Sequence, residues 1–193
     1  MISHKYKFIL ITPPKTGSTS LVKALREFIS IGRTKDQGQG CFDYSEGSGR
    51  PDDKHKPLSA YSAQEIQDYK LYGSVRNPYA RMASWWQWGN KHEKNYPRFV
   101  GFLKKLTKWQ LKPYVRYFDS QAGKVDNFLH CENLEEDFKL FCSQVGLPEI
   151  TLPQINKSNH NKHYTEYYDD KTRQIVAEMY AKDIEYFGYK FGD

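Results

Sequence analysis

Apolar residues along this chain gather into three short runs, each followed by a stripe at helical spacing. Tyr6 to Ile11 is almost uninterrupted and carries two isoleucines, as expected of a parallel strand buried on both faces. Leu21, Leu25, Phe28 and Ile29 follow at i, i+4, i+7 and i+8, which gives one apolar face of a helix. Lys70 to Val75 predicts a second strand, preceded by a short helix that Ser62 and Glu65 open as a capping box. After it, Asn77 is placed to cap a helix with Pro78 at its first position, and Tyr79, Met82, Ala83 and Trp86 share a face of that helix. Val125 to His130 predicts the third strand, and Asn133 with Glu136 opens a helix bearing Leu134, Phe138, Phe141 and Val145, closed by Gly146. Three such units predict an α/β fold, a parallel sheet flanked by helices and joined by right-handed crossovers.

The remaining segments fill in around this frame. Pro97 to Leu106 and Pro113 to Phe118 predict structural helices. A last helix, capped by Asp169 or Asp170 and ending at Gly188, turns Ile175, Val176, Met179, Tyr180, Ile184 and Phe187 inward. From Gly32 to Lys56 the chain is rich in glycine and polar residues, with only Cys41 to Tyr44 suggesting a strand. It predicts a long loop, either a lid or acceptor-binding loop or a disordered surface segment. Trp85 and Trp88 lie off the apolar face, so each is open to two readings, a stacking platform or core, whereas Trp86 belongs to the core face. The polar loop Asn156 to His163 carries two histidines, too few ligands for a metal.

At 193 residues the chain suits one domain, residues 1–193, with a substantial core. Its net charge of +6 and pI near 9.0 fit an anionic ligand without choosing among nucleotide, acidic glycan and nucleic acid. Lys104, Lys105, Lys108, Lys112 and Arg116 form a modest local excess that a solvated helix face explains as well as a nucleic-acid patch. Cys41, Cys131 and Cys142 show no pairing or zinc spacing, so reduced thiols are expected. With no leader and no spanning apolar stretch, the sequence predicts a soluble cytoplasmic protein without a membrane anchor.

The chemistry concentrates at the end of the first strand, in Thr12-Pro13-Pro14-Lys15-Thr16-Gly17-Ser18-Thr19-Ser20. A helix start carries unpaired N–H groups and the positive end of the macrodipole, which attract phosphate or sulfate. Gly17 permits close backbone approach, Lys15 adds a full charge, and Thr16, Ser18, Thr19 and Ser20 add hydroxyls. A helix turn capped by Ser18 or Thr19 is the plainer alternative. A Walker A loop is excluded, because there the lysine follows the second glycine and here Lys15 precedes Gly17. A second basic site, Arg76, follows the second predicted strand, where ligands of open α/β sheets bind.

Pro14 to Ser20 resembles the 5′-phosphosulfate loop of sulfotransferases that use 3′-phosphoadenosine-5′-phosphosulfate (PAPS). Val75 to Ser84 resembles their 3′-phosphate motif, in which an arginine and a serine eight residues later hold that phosphate, here Arg76 and Ser84. Glu132 to Phe138, the Asn156-Lys157-Ser158 loop and Asp183 to Tyr189 are similar to the carbohydrate-type branch. The resemblance implies a three-layer, P-loop-NTPase-like sulfotransferase fold. It also implies transfer of a sulfuryl group from PAPS to an acceptor hydroxyl, with adenosine 3′,5′-bisphosphate as product and no metal. Lys15 is then the expected catalytic charge, with Thr16, Gly17, Ser18, Thr19 and Ser20 around the 5′-phosphate and Arg76 and Ser84 on the 3′-phosphate. His55, in a Lys-His-Lys stretch where that branch often has a Lys-His pair, is the expected base, its flanking lysines favouring the neutral ring. An exposed loop histidine is the alternative. His130-Cys131 departs from the arginine or tyrosine that relatives often carry before Glu-Asn-Leu. The expected partner is a glycan or small-molecule acceptor rather than nucleic acid. An ATP-dependent kinase of the P-loop class and a non-catalytic polyanion-binding module are the rival readings.

Overall fold

The computed structural model describes residues 1–29, 55–92, 97–106, 113–155 and 162–193. The expected loop over residues 32–56, with its strand at Cys41 to Tyr44, lies outside them except for His55 and Lys56, as do residues 156–161 of the polar loop. In chain order the elements are β1 (Ile2–Ser3), β2 (Phe8–Ile11), α1 (Ser18–Leu25), α2 (Ala63–Asp68), β3 (Lys70–Val75), α3 (Pro78–His92), α4 (Phe99–Lys105) and α5 (Val115–Phe118). They continue with β4 (Asp119–Ser120), β5 (Gly123–Lys124), β6 (Asn127–His130), α6 (Leu134–Val145), α7 (Asp170–Met179) and α8 (Ala181–Phe187). Two compact units result, Met1–Val75 with Tyr117–Ile155, and Arg76–Arg116 with Asn156–Asp193.

The first unit holds a four-stranded sheet in the order β1-β2-β3-β6. β2, β3 and β6 run parallel, with Ile11 opposite Gly73 and Val75 opposite His130. β1 is antiparallel to β2 and was not legible as a strand, since two residues carry no periodicity. β2 begins at Phe8 rather than Tyr6 because Lys7, at φ 52°, turns the chain out of β1. All four β2 residues are buried, as a strand with neighbours on both sides requires. Phe8, Leu10, Tyr72 and Leu129 face Leu21, Val22 and Leu25 of α1 and Phe138, Phe141 and Val145 of α6. The Phe141 ring meets Phe8 and Tyr72 edge to face at 5.0 and 4.8 Å. Phe28 and Ile29 fall past the end of α1 yet still pack on this core. Phe118 crosses β3 where Gly73 has no side chain: a Cβ there would come within 2.6 Å of its ring.

Local signals fix the helix ends of this unit. Ser62 and Glu65 form the expected capping box, and Gly146, at φ 74°, closes α6 with its N–H on Cys142 and Ser143. The expected cap by Asn133 is not made, because a 3₁₀ turn over Cys131–Asn133 precedes α6 and the Asn133 amide donates to Asp137 instead, at 3.2 Å.

The second unit is helical, with an aromatic core of Tyr79, Trp85, Phe99, Phe102 and Tyr180 joined by Met82, Leu103 and Val176. Asn77 caps α3 by accepting the Tyr79 N–H at 3.0 Å. Trp85, at 7% exposure, is core, whereas Trp86 is half-buried and donates its indole N–H to Pro97 O at 2.8 Å. Of the two readings open for Trp85 the core holds, Trp86 packs against that core as expected though only partly buried, and Arg81 joins Trp85 on the inner side of α3. Arg81 is 1% exposed, its guanidinium 4.2 Å from the Tyr114 ring centroid and 5.7 Å from those of Trp85 and Tyr180. Asp183, fully buried, accepts the Tyr114 N–H on both oxygens, at 2.8 and 2.9 Å. The single final helix expected from the sequence is broken at Tyr180, whose backbone leaves the helical region, into α7 and α8. Asp169 caps α7 through Thr172, whose hydroxyl and N–H hold its carboxyl below the usual range.

Candidate functional site

The segment between β2 and α1 has the geometry of an anion cradle. Lys15 and Gly17 both adopt left-handed backbone, at φ 71° and 85°. For lysine that conformation is strained by roughly 1–2 kcal/mol, and strain of this kind gathers at functional sites. Gly17 is the N-cap of α1, and no side chain caps it, so the plainer reading of Ser18 or Thr19 as the cap does not hold. The first-turn N–H groups of an eight-residue helix are therefore left without a capping acceptor from its own N-terminus, which is the condition for binding an anion there.

The hydroxyls divide between framework and surface. Thr16 is fully buried, and its Oγ1 donates to Pro13 O at 2.7 Å while lying 2.5 Å from Ser74 Oγ. A carbonyl only accepts, so the single Thr16 hydrogen goes to Pro13 and Ser74 must donate to Thr16. Its hydroxyl is used to shape the loop and tie it to β3, which corrects the expectation that it is offered to a ligand. Ser20 Oγ likewise accepts the Ile155 N–H, at 3.3 Å. Ser18 is buried at the first position of α1, and Thr19 is exposed beside it.

Gly17 is constrained twice. Its φ is one that side-chain-bearing residues rarely adopt, and an added Cβ would come within 2.6 Å of Leu134 Cδ2 and 3.9 Å of Cys131 Sγ. The turn after β6 therefore backs the loop. That turn is itself fastened by Asp137, which accepts from the His130 N–H at 2.7 Å, pairs with His130 Nδ1 at 2.9 Å and takes the Asn133 amide.

His55 lies at the loop's entrance, half-buried, with Nδ1 2.6 Å from Thr12 O. Because that carbonyl can only accept, Nδ1 carries the hydrogen, and in the neutral ring the lone pair resides on Nε2. The first unit thus brings His55, Lys15 and the residues Thr16 to Ser20 into one neighbourhood. Ser74, Leu134 and Asp137 support it and were missed in the sequence. A hydroxyl in an otherwise apolar strand and the Asn133/Asp137 spacing were the available signals.

Arg76 and Ser84 belong to the second unit. Arg76 is half-buried immediately before the Asn77 cap, and Ser84 is half-buried about two turns along α3. Among the described residues no group of three or more His, Cys, Asp or Glu side chains is arranged to hold a metal. Among them, too, no helix is long and apolar enough to cross a membrane.

Compared with known proteins, residues 1–190 match the profile described as "Sulfotransferase family". No curated protein and no solved structure matches the chain.

Proposed function

The chain belongs to the sulfotransferase family, and we propose that it transfers a sulfuryl group from PAPS to a hydroxyl of a carbohydrate or small-molecule acceptor. The observation that carries this reading is the uncapped start of α1 behind a loop with two left-handed residues, one of them a lysine. Such a cradle suits the 5′-phosphosulfate end of the donor, held by the N–H groups of Thr16 to Thr19 and the hydroxyls of Ser18 and Thr19. The resemblance assigns the 3′-phosphate to Arg76 and Ser84.

In the transfer, the acceptor oxygen forms a bond to sulfur as the bond from sulfur to the bridging phosphate oxygen breaks, the electron pair passing to the 5′-phosphate. Lys15 and the α1 N-terminus neutralise that growing charge, which is where preorganised electrostatics contribute most. His55 Nε2 takes the acceptor's proton. Replacing His55 by alanine should lower turnover about a hundredfold or more with bisphosphate binding intact, and turnover within a few-fold of wild type removes it as the base.

A thermal-shift panel tests the donor class. Adenosine 3′,5′-bisphosphate at a hundred times its dissociation constant should stabilise the protein by about 2.7 kcal/mol, and ATP should not. Stabilisation by ATP alone would instead support a kinase. Strongly salt-dependent polyanion binding with no nucleotide effect would support a non-catalytic module. An acceptor screen that follows sulfate from labelled PAPS identifies the second substrate.

A further inference from the structure

The side-chain hydrogen bonds behind Lys15 run in one direction. Pro14 and Lys15 are the two central residues of a turn that Pro13 enters and Thr16 leaves. Proline fixes the first of them near a φ of about −65°, and Lys15, the second, stands at φ 71°. A left-handed second position is the mark of a type II turn, where glycine or asparagine is the usual occupant. Thr16 reaches back across this turn, its hydroxyl donating to Pro13 O at 2.7 Å. The Thr16 oxygen in turn accepts from Ser74 Oγ, at 2.5 Å, because its own hydrogen is committed to the carbonyl.

Ser74 is the fixed end of this relay. It is fully buried in β3, a strand that pairs with β2 on one side and β6 on the other, so its backbone is held by two neighbours. A site is held more sharply by a group on a strand than by one on a loop. At the other end, a carbonyl oxygen carries a partial negative charge that disfavours an anion beside it. Both carbonyls at the head of the loop are engaged by donors, Thr12 O by His55 Nδ1–H at 2.6 Å and Pro13 O by Thr16. The relay from Ser74 therefore does two things. It closes the turn in which Lys15 is left-handed, and it satisfies a carbonyl that would otherwise oppose the ligand's charge.

We infer that Ser74 is a positioning residue for the donor's 5′-phosphosulfate, acting through Thr16 to hold Lys15 and the N–H groups that follow it in the binding conformation. This rests on the PAPS reading above and names a residue that lies outside both phosphate motifs. The effect is specific to ligands that carry a 5′-phosphate, because the relay shapes the loop assigned to that group.

The test measures affinities of the full chain for adenosine 3′,5′-bisphosphate and adenosine 3′-monophosphate by calorimetry, well below the melting temperature of each protein. The proteins compared are wild type, Ser74→Ala, Thr16→Val, their double variant and Thr16→Ser. Ser74→Ala should weaken the bisphosphate about three- to tenfold and leave the 3′-monophosphate within about twofold. Thr16→Val loses both links and should weaken the bisphosphate about ten- to a hundredfold. Adding Ser74→Ala to it should cost less than about twofold more, since the acceptor for Ser74 is already gone. Thr16→Ser, which restores the hydroxyl, should recover most of the loss. Wild-type bisphosphate affinity in Ser74→Ala overturns the role of Ser74 and leaves the donor assignment standing. So does an equal loss for both nucleotides, or a Ser74→Ala loss that persists in full beside Thr16→Val, since Ser74 then acts elsewhere than on the loop through Thr16. A wild type that binds no bisphosphate overturns the donor assignment and this inference together.

Discussion

The two proposed phosphate sites are built in opposite ways. The loop at Lys15 to Ser20 is made by backbone: two left-handed residues, an uncapped helix start, and a Thr16 hydroxyl used to hold the curve rather than to meet a ligand. The start of α3 is made by side chains: Asn77 caps the helix, and Arg76 and Ser84 are the proposed donors. A backbone site depends on a few conformations that nothing else can supply. A side-chain site degrades by degrees, one group at a time.

The largest expected effect separates charge from conformation at Lys15. Lys15→Ala and Lys15→Gly should both lower turnover by about two to three orders of magnitude. Lys15→Gly should nevertheless melt higher than Lys15→Ala, because glycine adopts φ 71° without strain. Similar melting temperatures would show that the lysine backbone stores no strain.

Next comes Gly17→Ala, which should weaken bisphosphate binding at least about tenfold, from a left-handed penalty of roughly 1–2 kcal/mol and displacement of Leu134. Adding Leu134→Ala should return the steric part only. Full recovery in calorimetry would mean that contact rather than conformation governs the loop.

At the α3 site the effects should be smaller. Asn77→Ala should cost about 0.5–2 kcal/mol in denaturant unfolding through loss of the cap. Asn77→Asp keeps the accepting oxygen but loses the donor to Lys190 O. It should therefore preserve most of that stability. Equal destabilisation by both variants would argue against this division of labour.

The smallest effect is a control in the first unit away from the loop. The Ser62 N–H, and then its hydroxyl, hold the Glu65 carboxyl below its usual value. A folded-state value below the unfolded one stabilises fully above the usual carboxylate range, and the contribution is lost as pH falls through the folded value. The stability gap between wild type and Glu65→Gln should therefore close on going from pH 7 to pH 3, with bisphosphate affinity at pH 7 unchanged. A gap that persists at pH 3 would show that the carboxylate's charge is not its source.

The sequence made visible what short-range rules encode. Ser62 with Glu65, Asn77 with Pro78, and the glycines at 146 and 188 each mark an element end through the residue's own chemistry, and each is found there. The parallel strands β2, β3 and β6 were legible from apolar density. β1, β4 and β5 were not, because two-residue strands exist only through their partners. On α3 the face of Tyr79, Met82 and Ala83 was legible, but the burial of Arg81 was not. A charged Arg81 reads as a surface position, yet the rings of Tyr114, Trp85 and Tyr180 lie around it. At the loop, the lysine, glycine and hydroxyls were legible as chemistry. The left-handed Lys15, the diversion of the Thr16 hydroxyl to Pro13 O, and Leu134 behind Gly17 were not, since each depends on contacts or torsions set by the fold.

Asp137 has a consequence beyond the turn it fastens. Among the described residues β6 is the last strand on its side of the sheet, and an outermost strand is a template on which another chain can add. The Asp137 carboxylate already takes the His130 N–H at the end of β6, so an incoming strand would have to displace an ionic acceptor and bring its own carbonyl against a fixed negative charge. A side chain from the following helix thus occupies an N–H at the end of β6 that such pairing would use.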